Sequence, residues 1–171
     1  SSPRCAEIER RLKDELDIPV FHDDQHGTAI VVTAGLINAL KLIGKKFENI
    51  KVAMSGAGAA GSAIVKMIID MGVEDLIVCN SKGILTRDEK YDNWVHQEIA
   101  NMTNPRKIKG GLSDAIKNAD VFIGVSAKDI VSKEMVESMN SEAIVFAMAN
   151  PDPEITYEKA IEAREDVIMA T

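Results

Sequence analysis

The run Gly56-Ala57-Gly58-Ala59-Ala60-Gly61 spaces three glycines as G-x-G-x-x-G between two stretches of different periodicity. Before it, Ile50-Lys-Val-Ala-Met54 is short and apolar, as a strand is. After it, Ser62 to Met71 repeats apolar residues at helical spacing. The first glycine allows the tight turn, the second lets a phosphate approach the backbone, and the third lets helix and strand pack closely. The free N–H groups and positive dipole end of the helix then favour an anion. The hexapeptide alone is a weak signal, and the flanking strand and helix make it specific. Gly56, Ala57, Gly58, Ala59, Ala60 and Gly61 are therefore candidate contacts for a dinucleotide pyrophosphate; the alternative is a strand–helix turn with no ligand.

The chain beyond the turn keeps the same rhythm. Strands are predicted at Leu76–Cys79, Val121–Val125, Ala143–Ala147 and Val167–Met169, and helices at Leu112–Asn118, Lys133–Met139 and Tyr157–Arg164. Residues 81–111 read as a polar excursion with a helix over Arg87–Met102. Short apolar strands alternating with helices predict an α/β, Rossmann-like, doubly wound fold: a mainly parallel sheet with helices on both faces. Ahead of it, Pro3–Asp17 reads as an amphipathic helix, Ile18–Phe21 as an extended piece, and 22–27 as a loop entering a long helix, Thr28–Ile43. That helix is apolar nearly all round, which predicts burial. The expected division is 1–24, a helix and acidic loop, then 25–171, the nucleotide-binding domain.

A net charge of −7 in 171 residues argues against nucleic acid as the partner, because phosphate backbones require clustered Lys and Arg. The longest apolar stretch, Ala29–Leu40, is shorter than the ~18 residues of a membrane span, so no membrane is expected. Cys5 and Cys79 suggest no disulfide framework, and a reducing, cytoplasmic setting is expected.

Two further groups carry chemistry. An Asp or Glu is expected ~20 residues after the glycine turn, at the end of the second strand, to bind the adenosine ribose. Asn80 stands there, followed by Ser81 and Lys82. Asn hydrogen-bonds a hydroxyl without repelling a 2′-phosphate, and Lys82 is either a partner for that phosphate or a solvated turn lysine, so NAD and NADP both stay open. The segment His22-Asp23-Asp24-Gln25-His26-Gly27-Thr28 sets two carboxylates side by side. Adjacent buried carboxylates raise each other's pKa, a cost a divalent cation removes, and hard oxygen ligands suit Mg²⁺ or Mn²⁺. The competing reading is that Asp24 or Thr28 caps the long helix.

The segment Ile18-Pro-Val-Phe-His-Asp-Asp-Gln-His-Gly-Thr-Ala29 resembles the stretch that opens the cofactor domain of malic enzymes. The turn Ser55–Ser62, Gly124-Val-Ser126 and Ala149-Asn-Pro151 follow in the order that family has. The resemblance covers nearly the whole chain and is strongest to the shorter, bacterial-type enzymes. It implies oxidative decarboxylation of malate to pyruvate and CO₂ with reduction of NAD or NADP, with Mg²⁺ or Mn²⁺ as Lewis acid. It further implies Asp24 as a cation ligand, Asp23 as a neighbour, Ser126 at the cofactor, and Asn150 facing substrate and nicotinamide. By the same resemblance the catalytic Tyr and Lys belong to a preceding domain. A Glu-Asp pair of cation ligands belongs just before Ser1, and an Asn-rich segment after Thr171. No catalytic residue is therefore assigned here, and the chain alone is expected to be inactive, the full-length enzyme being a homo-oligomer. Two other readings remain: another two-domain nicotinamide dehydrogenase, which shares the glycine turn but leaves His22–Ala29 and Asn150 unexplained, and a non-catalytic NAD(P)-sensing module.

Overall fold

The computed structural model describes residues 2–171; Ser1, where the leading 1–24 segment begins, lies outside them. The helices are α1 (Ser2–Glu15), α2 (Asp23–Ile43), α3 (Ala59–Asp70), α4 (Trp94–Met102), α5 (Leu112–Ile116), α6 (Lys133–Glu137) and α7 (Tyr157–Ala163). The strands are β1 (Lys51–Ser55), β2 (Asp75–Asn80), β3 (Gly83–Ile84), β4 (Val121–Gly124), β5 (Ile144–Ala147) and β6 (Ile168–Ala170). They form one sheet in the order β3-β2-β1-β4-β5-β6. All neighbours are parallel except β2–β3, which pair antiparallel.

Side chains alternate across the sheet and fill two cores. Val52, Met54, Leu76, Val78, Ile123 and Phe146 face the side covered by α2, α3 and α4. Ala53, Ile77, Cys79, Phe122, Val145 and Ala147 face the side covered by α5, α6 and α7. Strands buried on both faces are apolar throughout, and their continuous runs mark them in the sequence. The doubly wound reading holds in this arrangement.

Four expectations are corrected. First, residues 23–27 are not a loop: α2 begins at Asp23, with His22 at its N-cap and no side-chain cap bond. Asp23 and Asp24 thus sit in the first turn, where carboxylates complement the helix dipole, and neither Asp24 nor Thr28 caps. Gly27 is compatible with this turn because a Cβ there would overlap the Asp23 carboxylate. Second, α2 is not buried all round. Ala29, Val32, Leu36, Ala39 and Leu40 pack inward, whereas Ile30, Val31 and Leu42 are exposed. The helix runs 21 residues, longer than its most apolar stretch, and is long and apolar enough by length and composition to cross a membrane; here it packs on α3. Third, α4 starts at Trp94 rather than Arg87, because the Asn93 side chain accepts from the Val95 N–H and caps it there. Fourth, α3 starts at Ala59, inside the glycine motif.

A polar cluster holds α1 on this frame. Glu9, nearly buried, accepts from Gln25 Nε2 at 2.8 Å, lies 2.6 Å from His26 Nε2, and pairs with Lys13 at 2.8 Å. Burial pushes the Glu9 carboxyl upward, but Lys13 and His26 outweigh it and hold it below its usual range. At the opposite end of the sheet, Asp120 pairs with Lys45 Nζ at 2.7 Å and accepts from the Lys51 N–H at 2.8 Å and from Asn140 Nδ2 at 3.0 Å. That carboxylate joins the starts of β1 and β4.

Candidate functional site

From β1 the chain moves outward to β2 and β3, then returns to the other side of β1 to lay down β4, β5 and β6. The order reverses between β1 and β4, and open α/β sheets bind ligands in the crevice beyond such a switch point. The register lines up Cys79, Ser55, Gly124 and Ala147 as one row at the carboxyl ends of β2, β1, β4 and β5. The loops that leave these four residues start from one edge of the sheet.

Gly56 leaves β1 with φ +112°, a region that L side chains rarely adopt, and a Cβ there would stand 2.7 Å from the Val125 carbonyl oxygen. Gly58 is the N-cap of α3 and supplies no side-chain cap, so the first N–H groups of the helix point outward. Gly61 packs so tightly on Gly56 that a Cβ would overlap its carbonyl oxygen. The first and third glycines therefore have the steric roles that their places in the fingerprint predict.

A cleft of about 690 Å³ opens in front of this turn, within the usual range for small-molecule sites. Gly56, Ala57, Gly58, Asn80 and Ser126 line it, so the cleft brings together the turn, the end of β2 and the loop after β4. Ala59, Ala60 and Gly61 form the first turn of α3 behind it. Asn80 Oδ1 accepts from the Lys82 N–H at 2.8 Å, which leaves its Nδ2 group as the free donor. Lys82 also lines the cleft and is exposed. Ser126 Oγ lies 2.8 Å from Ser55 Oγ, a bridge across the switch point.

In the cleft and behind it stand two residues that sequence reasoning missed, His96 and Glu154, with the buried Cys79 on β2 between them. His96, on α4, lines the cleft beside Ala57. Burial, together with the Lys82 cation, pushes the His96 imidazole below its usual pKa against a pull the other way from the Ala57 backbone. Cys79 sits at the floor, where burial and the Asp114 carboxylate push its thiol up to about 12, so it stays protonated at neutral pH. Glu154, fully buried behind the loop, holds Ser126 and Ala149 by their N–H groups. Nothing in the sequence marked His96 or Glu154: His96 is one polar residue on an amphipathic helix, and Glu154 follows Pro-Asp-Pro, a turn composition.

The remaining predicted residues are not gathered in. Asn150 lies exposed just past the end of β5. Asp23 and Asp24 are exposed at the start of α2. They have the chemistry for a hard cation, but no group of three ligating side chains forms among the described residues. A complete metal site is therefore not present within these residues.

Fold and cleft together define a dinucleotide-binding domain of the Rossmann type. Comparison with known sequences gives the family: residues 25–171 match the family model described as malic enzyme, NAD binding domain, and the chain belongs to that family. It is 58% identical over 160 residues to an NAD-dependent malic enzyme of Geobacillus stearothermophilus, covering 94% of this chain and 34% of that protein. It is 47% identical to an NADP-dependent malic enzyme of Rhizobium meliloti, covering 99% of this chain and 22% of that protein. Among solved structures, an NAD-dependent malic enzyme of Thermotoga maritima superimposes with a TM-score of 0.94 at 46% identity, covering 99% of this chain and 46% of that one. The chain thus spans less than half the length of each of these relatives.

Proposed function

We propose that this chain holds NAD or NADP in the cleft beyond β1 and β4, and that the protein carrying it oxidatively decarboxylates malate to pyruvate and CO₂. The observation that supports this most is the meeting of the Gly56–Gly58 turn, Asn80 and Ser126 on one cleft at the switch point. In this reading the outward N–H groups of α3 bind the pyrophosphate. Asn80 Nδ2 donates to the adenosine ribose without repelling a 2′-phosphate, and Lys82 is available to attract one. Ser126 and Asn150 serve the nicotinamide side, where malate would stand. Asp24, with Asp23 beside it, would give Mg²⁺ or Mn²⁺ one oxygen ligand of an incomplete set, so the chain alone binds the cation weakly and turns over no malate. An acidic chain (net charge −7) and two unpaired cysteines fit a cytoplasmic enzyme with no nucleic-acid or membrane partner. The exposed apolar Ile30, Val31 and Leu42 on α2 suit association with further protein, including a second subunit.

The test is a fluorescence titration of this chain with NADH and NADPH, followed by malate-dependent nucleotide reduction with Mn²⁺ by the intact protein. Saturable binding and malate-dependent turnover are expected. No binding by a folded chain would remove the reading of the cleft, and binding without malate turnover in the intact protein would remove the reaction.

A further inference from the structure

Glu154 is the one carboxyl group with 0% exposure among the described residues, and its side chain is open to neither solvent nor the cleft. Burying a carboxyl group is costly unless its oxygens are satisfied. Here both are: Oε1 accepts from the Ser126 N–H at 2.9 Å, and Oε2 from the Ala149 N–H at 3.0 Å. Ser126 Oγ lies 3.5 Å from the same Oε1. These two N–H groups lie just past the ends of β4 and β5, where the ladder has run out. An apolar residue of the same size would leave both orphaned.

The surroundings are shaped to the carboxyl group. A Cβ at Gly124 would stand 2.6 Å from each of its oxygens, so β4 ends in the residue that admits it. The Glu154 backbone is fixed as well, its carbonyl accepting from the Val131 N–H at 3.0 Å while Pro153 O accepts from the Asp129 N–H at 3.1 Å. Ser126, on the other side of this clamp, lines the cleft and meets Ser55 at 2.8 Å. The Glu154 carboxylate thus reaches the ligand space through Ser126 and the strand end that carries Asn150 through Ala149.

We propose that Glu154 is a positioning residue for the nicotinamide half of the dinucleotide. It sets the Ser126 loop and the Ala149–Asn150 turn from behind, and leaves the adenosine half to the glycine turn and Asn80. The proposal rests on the cleft being a dinucleotide site. A doubly wound sheet binds the two mononucleotide halves on either side of the switch point. Ser126 and Ala149 lie on the β4–β5 side, and Asn80 on the β2 side.

Glu154→Gln tests this, because the amide keeps the shape but places an NH₂ against one of the two N–H donors. NADH and ADP-ribose, which shares everything but the nicotinamide, are titrated against this chain and the variant, with far-UV circular dichroism as the control for folding. The variant is expected to bind ADP-ribose within about twofold of the parent and NADH about tenfold more weakly, a change of one decade in Kd. Ser126→Ala should show the same selective loss, since it removes the hydroxyl that meets the cleft while keeping the N–H that Glu154 holds. Should the Gln variant not fold, Glu154→Asp carries the test: the shortened side chain cannot reach both amides, and a selective, severalfold loss of NADH affinity is expected. Equal losses for both ligands, or no loss, would overturn the role of Glu154. Failure of the unaltered chain to bind either ligand would instead overturn the reading of the cleft, and this proposal with it.

Discussion

Substituting Gly61 by Ala puts one methyl group where α3 rests on the end of β1. Its carbon would overlap the Gly56 carbonyl oxygen, stand 2.9 Å from the Gly56 carbonyl carbon, and reach 3.3 Å from Met54 Cε. Non-bonded carbons rest at ~3.5–4.0 Å, so the first turn of α3 must withdraw by roughly 1 Å. Met54 is fully buried, so the core cannot open freely, and overpacking of this kind costs about 1–3 kcal/mol of stability. The larger effect falls on binding. N–H···O bonds work over ~2.7–3.2 Å, and a displacement of about 1 Å takes the helix N–H groups beyond that range. Losing one bond to a charged phosphate removes about 1.5–3 kcal/mol, or ~10- to 150-fold in Kd. The assay is NADH fluorescence titration of the chain and its Gly61→Ala variant, with urea unfolding of both. A folded variant that binds NADH within twofold of the parent would refute the argument that the third glycine sets the distance between helix and phosphate.

Two further expectations concern stability and cofactor choice. Burial pushes the Asp120 carboxyl up, but Lys45, the Lys51 N–H and Asn140 outweigh it and hold its pKa below the usual carboxylate range. Its stabilisation is therefore present above the unfolded value near 4 and is lost as pH falls through the lower, folded value. Asp120→Asn should cost about 3–4 kcal/mol at pH 7, the lower part of the range for breaking a buried pair because Lys45 keeps some solvent, and urea unfolding should find the gap narrowing by pH 2.5; a gap of equal size at both pH values would contradict it. At the end of β2, Asn80→Asp places a carboxylate where a 2′-phosphate would lie. The ratio of NADPH to NADH affinity should fall at least tenfold in parallel titrations, the discrimination expected from a like charge in the site; an unchanged ratio would remove Asn80 from the adenosine subsite.

The sequence by itself determined the architecture, because hydrophobic burial leaves a periodic record. Runs such as Val121–Gly124 and Ile144–Ala147 are apolar at every position because both faces of the sheet are covered, and Gly56 and Gly61 stand where backbone meets backbone. These are local constraints, legible residue by residue. The ends of elements were less legible. Asp23–Gly27 looked like a loop, because carboxylates in a first helical turn are stabilised by the dipole rather than by any apolar repeat, and α4 shrank to the cap that Asn93 supplies. β3 was missed for a similar reason: Gly83–Ile84 forms only by pairing with β2.

What only the tertiary structure decided is which polar groups share a space. Ser126 and Ser55 meet across 71 positions of chain because β1 and β4 are neighbours at the switch point, and His96 reaches the cleft because α4 packs on the same face as α3. Glu154 reads as the polar end of a Pro-Asp-Pro-Glu turn, yet it is buried to 0% exposure, because two strand ends leave N–H groups that only an acceptor brought in from a later loop can satisfy. Periodicity records which side of an element is wet. It carries no record of hydrogen-bond partners that folding brings from elsewhere in the chain.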